Sequence, residues 1–157
     1  MNTLELLQYS LDTAFDILGF VTADLTQEQT DWKPPGVASS IGSIMSHINA
    51  YVNFFVREVC IGKKYEIFTS PLPPEVMMKA VQVDILDMHE RTKNLRKLTS
   101  EWLSTLTPED LEVEVESNIG TINVGQMIEA YIIWHINVHC GEISCLKGCQ
   151  GAKGYPW

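Results

Sequence analysis

Apolar residues recur every three or four positions over long stretches of this chain, and that period limits what it can fold into more than any other feature. Leu4, Leu7, Leu11, Phe15, Leu18 and Val21 fall on one face of a helix of about six turns. Asn2 and Glu5 suit its N-cap and third positions, where each side chain can serve the other's backbone. A second stripe through Ile44, His47, Tyr51, Phe54 and Phe55 predicts a helix from about Ser40 to Ile61, with Gly62 as a left-handed C-cap. A third, through Met77, Val81, Asp84, Ile85, Met88, Leu95, Leu98 and Trp102, predicts the longest helix, starting near Pro74. The fourth helix should run from about Asn123 to Lys147 and end near Gly148.

The connections are marked by turn chemistry. Thr26 and Gln29 should cap a short helical turn before Pro34, Pro35 and Gly36 stop regular structure, and Thr107, Pro108 and Asp110 repeat that Thr-led turn after the third helix. Residues 62–74 hold three prolines and no usable period, so they read as a long crossover between helices two and three. From Leu111 to Val124 apolar and acidic residues alternate and then break at Asn118 to Gly120, which favours a short β-hairpin before the last helix. Four long amphipathic helices with ordered links make an all-α four-helix bundle, the economical way to bury four stripes. At 157 residues, 45% of them apolar, the expectation is one domain over residues 1–157, with a glycine-rich tail after Gly148.

Charge and cysteine usage narrow the function. With 11 basic against 20 acidic residues, a net −9 that is nowhere offset by a basic cluster, the chain would repel a phosphate backbone, so nucleic acid is not an expected partner. Glu5 and Asp12 interrupt what a secretory leader would need, and no apolar run reaches the roughly 20 residues that cross a bilayer. Four cysteines without a paired C-x-x-C element read as reduced thiols, and the expectation is a cytoplasmic protein with no membrane partner. No G-x-S-x-G, phosphate-loop or dinucleotide pattern occurs.

The chemistry lies with the histidines. On a helical wheel Val124, Ile128, Tyr131, Ile132, His135, Val138, His139, Glu142 and Leu146 share one arc, so both imidazoles face the core. Residues four apart have Cβ atoms roughly 5–6 Å apart, close enough for two rings to share one ion. His47 sits on the apolar face of the second helix, which a bundle can turn toward the last. Each ring could instead be an ordinary core histidine satisfied by a hydroxyl or carbonyl. Three such rings in a small interior would all need partners, and a shared divalent metal satisfies one nitrogen on each. Glu142 could be a fourth ligand, orient an imidazole, act as a base, or be a bundle-end glutamate reaching solvent. His89, beside Glu90 and Arg91, should be solvated. Cys140 points about 100° away from His139; Cys145 and Cys149 lie beyond reach of the pair, as small thiols or a separate site of their own.

These features resemble the DinB/YfiT-like superfamily of four-helix bundles. The resemblance is carried by the run Ser40 to His47 that opens the second helix after Asp31-Trp-Lys-Pro-Pro35, and by the run His135 to Gly148; with the helix order and crossover it spans nearly the whole chain. It implies a metal site with one histidine from the second helix and an H-x-x-x-H pair from the last, here His47, His135 and His139. It also implies zinc or nickel as the metal, thiol-dependent transfer or isomerisation with a low-molecular-weight thiol co-substrate, a small-molecule substrate and a homodimer. The acidic hairpin and the tail from Gln150 map onto no characterised subgroup, so the resemblance names no substrate. Imidazole ligands leave the metal open among zinc, nickel, copper and iron. The reading is a metal-dependent enzyme that transfers a low-molecular-weight thiol to a small electrophile, with Glu142 as a possible catalytic helper. Its alternatives are a metal-dependent hydrolase and a non-catalytic metal-binding or interaction bundle.

Overall fold

The computed structural model describes residues 1–63, 73–74 and 76–155. Most of the predicted crossover, and the final Pro156 and Trp157 of the tail, lie outside the described residues. Helix α1 (Thr3–Thr22) begins on the expected capping box, with Asn2 Oδ1 accepting from the Glu5 amide at 2.9 Å and Glu5 Oε2 accepting from the Asn2 amide at 2.9 Å. Leu7, Leu11, Phe15, Leu18 and Val21 are buried along its stripe. Short α2 (Gln27–Asp31) carries a Thr26/Gln29 capping box, and short α5 (Pro108–Leu111) the matching Thr107/Asp110 box, so both Thr-led turns form as read.

Helix α3 (Ile41–Phe54) is capped by Ser40 and continues as a π-helical stretch, Phe55–Ile61. Its end differs from the expected one. Gly62 has φ −73°, an ordinary right-handed value, and it is Lys63 that turns left-handed at φ 52°. Glycine is required at 62 for another reason: in the widened turn a Cβ there would stand 2.6 Å from the Glu58 carbonyl oxygen.

Helix α4 (Ile85–Leu103) starts eleven residues later than the Pro74 expected from periodicity, and Met77 and Val81 are exposed. Tertiary hydrogen bonds decide this. The Val81 amide donates to Ser43 Oγ, Gln27 Nε2 donates to the Val83 carbonyl, and Gln27 Oε1 accepts from the Ile85 amide. Those bonds hold the segment against α2 and α3, and Asp84 then caps the helix by accepting from the Asp87 amide at 2.9 Å.

The predicted hairpin forms from β1 (Glu114–Ser117) and β2 (Gly120–Asn123), antiparallel, with Val115 opposite Ile122 and Ser117 opposite Gly120. Val115 is buried while Glu114 and Glu116 face out, which is the alternation visible in the sequence. The Tyr131 hydroxyl donates to Asn118 at its tip.

The last long helix is built in three pieces: α6 (Val124–Ile128), a π-helical stretch Glu129–Ile133, and α7 (Trp134–Cys149). Asn123 and Gln126 form its capping box. The π stretch accommodates one extra residue, so beyond it the fully buried positions become Ile136, Cys140 and Ile143. This corrects the single arc read from a uniform wheel. Val138 is exposed, and His135 and His139 stand at the rim of the core facing α3 instead of at its centre.

In the bundle α1 packs on α4 and α7, and α3 packs on α4 and α7, so the second and last long helices are neighbours. Lys147, almost wholly buried, ties α7 to the end of α1 through Val21 O at 3.1 Å and Asp24 Oδ1 at 2.5 Å. Among the described residues no helix is long and apolar enough to cross a membrane.

Candidate metal centre

His47 comes to the cleft from the middle of α3, and His135 and His139 from successive turns of α7. Their ring centroids lie 4.5–5.0 Å apart in edge-on arrangements. One ring nitrogen from each falls within 4.8 Å of the others. Nitrogens bound to one ion at roughly 2.0–2.1 Å stand about 3.3 Å apart, so modest side-chain rotations would close the set.

Two of the rings are held in a defined tautomer. His47 Nδ1 lies 2.7 Å from the Val76 carbonyl oxygen, and His139 Nδ1 lies 2.6 Å from Glu142 Oε2. A carbonyl and a carboxylate only accept, so both Nδ1 atoms carry the proton and both Nε2 atoms keep a lone pair. Such an outer bond to a carbonyl or carboxylate is the usual support for a metal-ligating imidazole. His135 is held differently, by a flat stack on the Tyr51 ring at 3.8 Å between centroids and 10° between planes. Its Nε2 is buried with no hydrogen-bond partner among the described residues.

An orphaned buried nitrogen is costly unless something supplies its missing partner. Burial, with the neighbouring His139 and His47 adding to it, pushes the His135 imidazole down to about 3. Burial likewise holds His47 below the ordinary histidine range, against the opposing pull of the Val76 carbonyl. Three imidazoles, each able to give a nitrogen to a shared ion, are the donor set of a catalytic zinc-type site, and the residues therefore fit a divalent ion.

Glu142 is about half exposed, at 49% of its side-chain surface, with one oxygen on His139 and the rest of the carboxylate toward the open cleft. Cys140 is fully buried in the core behind the site, and its thiol is held well above the ordinary cysteine range by burial. Cys145 and Cys149 are exposed, and all four thiols are free. His89 lies apart on α4 and corrects the reading of a solvated side chain: it is half-buried, and its Nε2 is enclosed without a hydrogen-bond partner among the described residues. Two supporting groups escaped sequence reasoning. The Val76 carbonyl belongs to a segment 29 residues from His47, and a backbone acceptor leaves no trace in residue identity. Tyr51 was visible in the stripe, four residues after His47, but only as an apolar position.

No curated protein matches the chain significantly. The model of the DinB superfamily matches residues 10–143, a span that takes in His47, His135, His139 and Glu142. On that match, and on the helical bundle that carries these side chains, the chain belongs to the DinB superfamily.

Proposed function

We propose that this protein is a metal-dependent enzyme that transfers a low-molecular-weight thiol to a small electrophilic molecule. In this reading His47, His135 and His139 hold a divalent ion, zinc or nickel, inside a reducing compartment that keeps the four thiols free. The observation that carries it is the pre-set tautomer of His47 and His139 beside the orphaned Nε2 of His135. Together these leave three lone pairs on one small volume.

A divalent ion held by three neutral ligands keeps its full charge and an open position, and so supplies the acidity that makes a thiol ionise near neutral pH. The chain's own residues do the rest. Glu142 fixes His139 through Oε2 and can take the thiol proton on Oε1. The sulfur then forms a C–S bond to the acceptor carbon, and the leaving group departs with the electron pair of the bond it had. Tyr51 keeps the His135 ring in plane through the flat stack between them.

The test uses protein purified without an affinity tag. Elemental analysis should find close to one divalent ion per chain, and thiol consumption with an electrophile such as a haloalkane or epoxide should stop on chelation and return with metal. Metal-free protein, or consumption unchanged by the chelator, would sink the reading. Turnover of an activated ester without thiol would make it a hydrolase instead.

A further inference from the structure

A cavity of about 360 Å³ opens beside the histidine cluster, between residues 37–39, the first turn of α3, Met78 and the second half of α7. It and the cluster share Glu142: the carboxylate bonded to His139 is also part of the cavity wall. Ile44, one turn before His47, also lines it, so the cavity adjoins the cluster along both α3 and α7. Apart from Ser39 and Cys145 the rest of the lining is apolar, from Val37, Ala38, Ile44, Met78 and Leu146. Glu142 is the one charged group in the described lining, and no lysine or arginine is there to meet an anion.

We infer that this cavity is the acceptor site and that it selects neutral, apolar electrophiles over anionic ones. As a statement about turnover it rests on the transferase reading above; as a statement about binding it stands by itself. An apolar acceptor gains by leaving water for these walls. An acceptor bearing a carboxylate would lose hydration there and meet Glu142 with no cation in the described lining to compensate it. The preference is therefore built from one repulsive group and an apolar surface, and Ala38, exposed at the mouth, sets how large an acceptor can enter.

Cys145 provides a direct reading of the cavity. It lies on the wall three residues past Glu142, whereas Cys149, also exposed on α7, lies outside the lining and serves as an internal control in the same molecule. The full chain, stripped of metal, is treated briefly with a neutral N-alkylmaleimide or a carboxyalkyl maleimide, and labelling at each cysteine is followed by peptide mass spectrometry. Each thiol sulfur adds across the maleimide double bond and its proton ends on the neighbouring carbon, so no other reagent is needed.

The Cys145 to Cys149 rate ratio should be about threefold to fivefold higher with the neutral reagent, the range a half-exposed charge can impose. It should rise further from ethyl to benzyl maleimide. Glu142→Gln should speed anionic labelling of Cys145 and leave neutral labelling unchanged. Ala38→Phe, at an exposed position where folding is not at stake, should slow Cys145 alone. Equal ratios for the two reagents in the natural chain, or a Cys145 rate untouched by Ala38→Phe, would overturn the inference. Because metal is absent, a clear preference in a protein that consumes no thiol would remove the transferase reading and leave the cavity's selectivity in place. Thiol transfer without the preference would do the reverse.

Discussion

The imidazole of His135 lies flat on the phenol ring of Tyr51, 3.8 Å between centroids and 10° between planes. This flat stack helps orient a ring whose Nε2 has no hydrogen-bond partner among the described residues. Tyr51→Ala should therefore free His135 and weaken metal binding by about tenfold, the lower end of what loss of a supporting contact costs. Tyr51→Phe keeps the stack and should bind like the natural chain. Competition against a chromophoric chelator measures both; equal weakening in the two variants would assign the effect to the hydroxyl instead.

His139→Ala should remove most of the bound metal per chain in elemental analysis, whereas His89→Ala, on a different helix face, should leave it unchanged. Glu142→Gln should retain the ion more weakly, by about 10-fold to 100-fold, because the amide holds the His139 Nδ1 proton less firmly than a carboxylate does. Metal loss from His89→Ala equal to that from His139→Ala would refute the ligand assignment.

Asp24 and Lys147 give a pH signature away from the site. The hydrogen bond from Lys147, the largest influence on it, holds the Asp24 carboxyl below its ordinary value of 3.8. A depressed carboxyl contributes stability that is complete above the unfolded value and is lost as pH falls through the folded one. Asp24→Asn should accordingly cost about 1 kcal/mol at pH 6, a figure kept small because Asp24 is largely exposed. That difference should shrink as pH falls below about 4. Urea midpoints at pH 6, 4 and 3 check it, and a gap constant with pH would show that the carboxylate charge does not matter.

Two glycines should respond in opposite senses to alanine. At Gly62 a Cβ would meet the Glu58 carbonyl oxygen at 2.6 Å, and Gly62→Ala should lower stability by about 1–3 kcal/mol. At Gly141, within α7, nothing lies within 4 Å of the added carbon, and Gly141→Ala should raise stability by about 0.5–1 kcal/mol. Thermal midpoints of the two variants should move apart around that of the natural chain.

Much of the architecture was legible because the local signals agreed with one another. Asn2 with Glu5, Thr26 with Gln29 and Thr107 with Asp110 each mark a helix start by a reciprocal bond that needs no distant partner. The alternation around Val115 likewise announces the hairpin. What escaped was set by distant groups. The start of α4 depends on Gln27 and Ser43, which bind residues 81–85 and override a helical period running from Met77. The pairing of His135 with His139 followed from spacing, and their meeting with His47 from the bundle and the family resemblance, yet their place at the core rim did not. A uniform 3.6-residue wheel has no means of registering the π stretch Glu129–Ile133 that precedes His135.

That π stretch works as a phase adjuster with a single setting. If the same residues wound at an even α pitch, without the widened turns of Glu129–Ile133, everything after them would swing by about 100° relative to α3. The two imidazoles would then turn out of the cleft toward the core, the place a uniform wheel gives them. The centre thus rests on a backbone detail that ends two residues before His135, and not on the identity of the histidines alone.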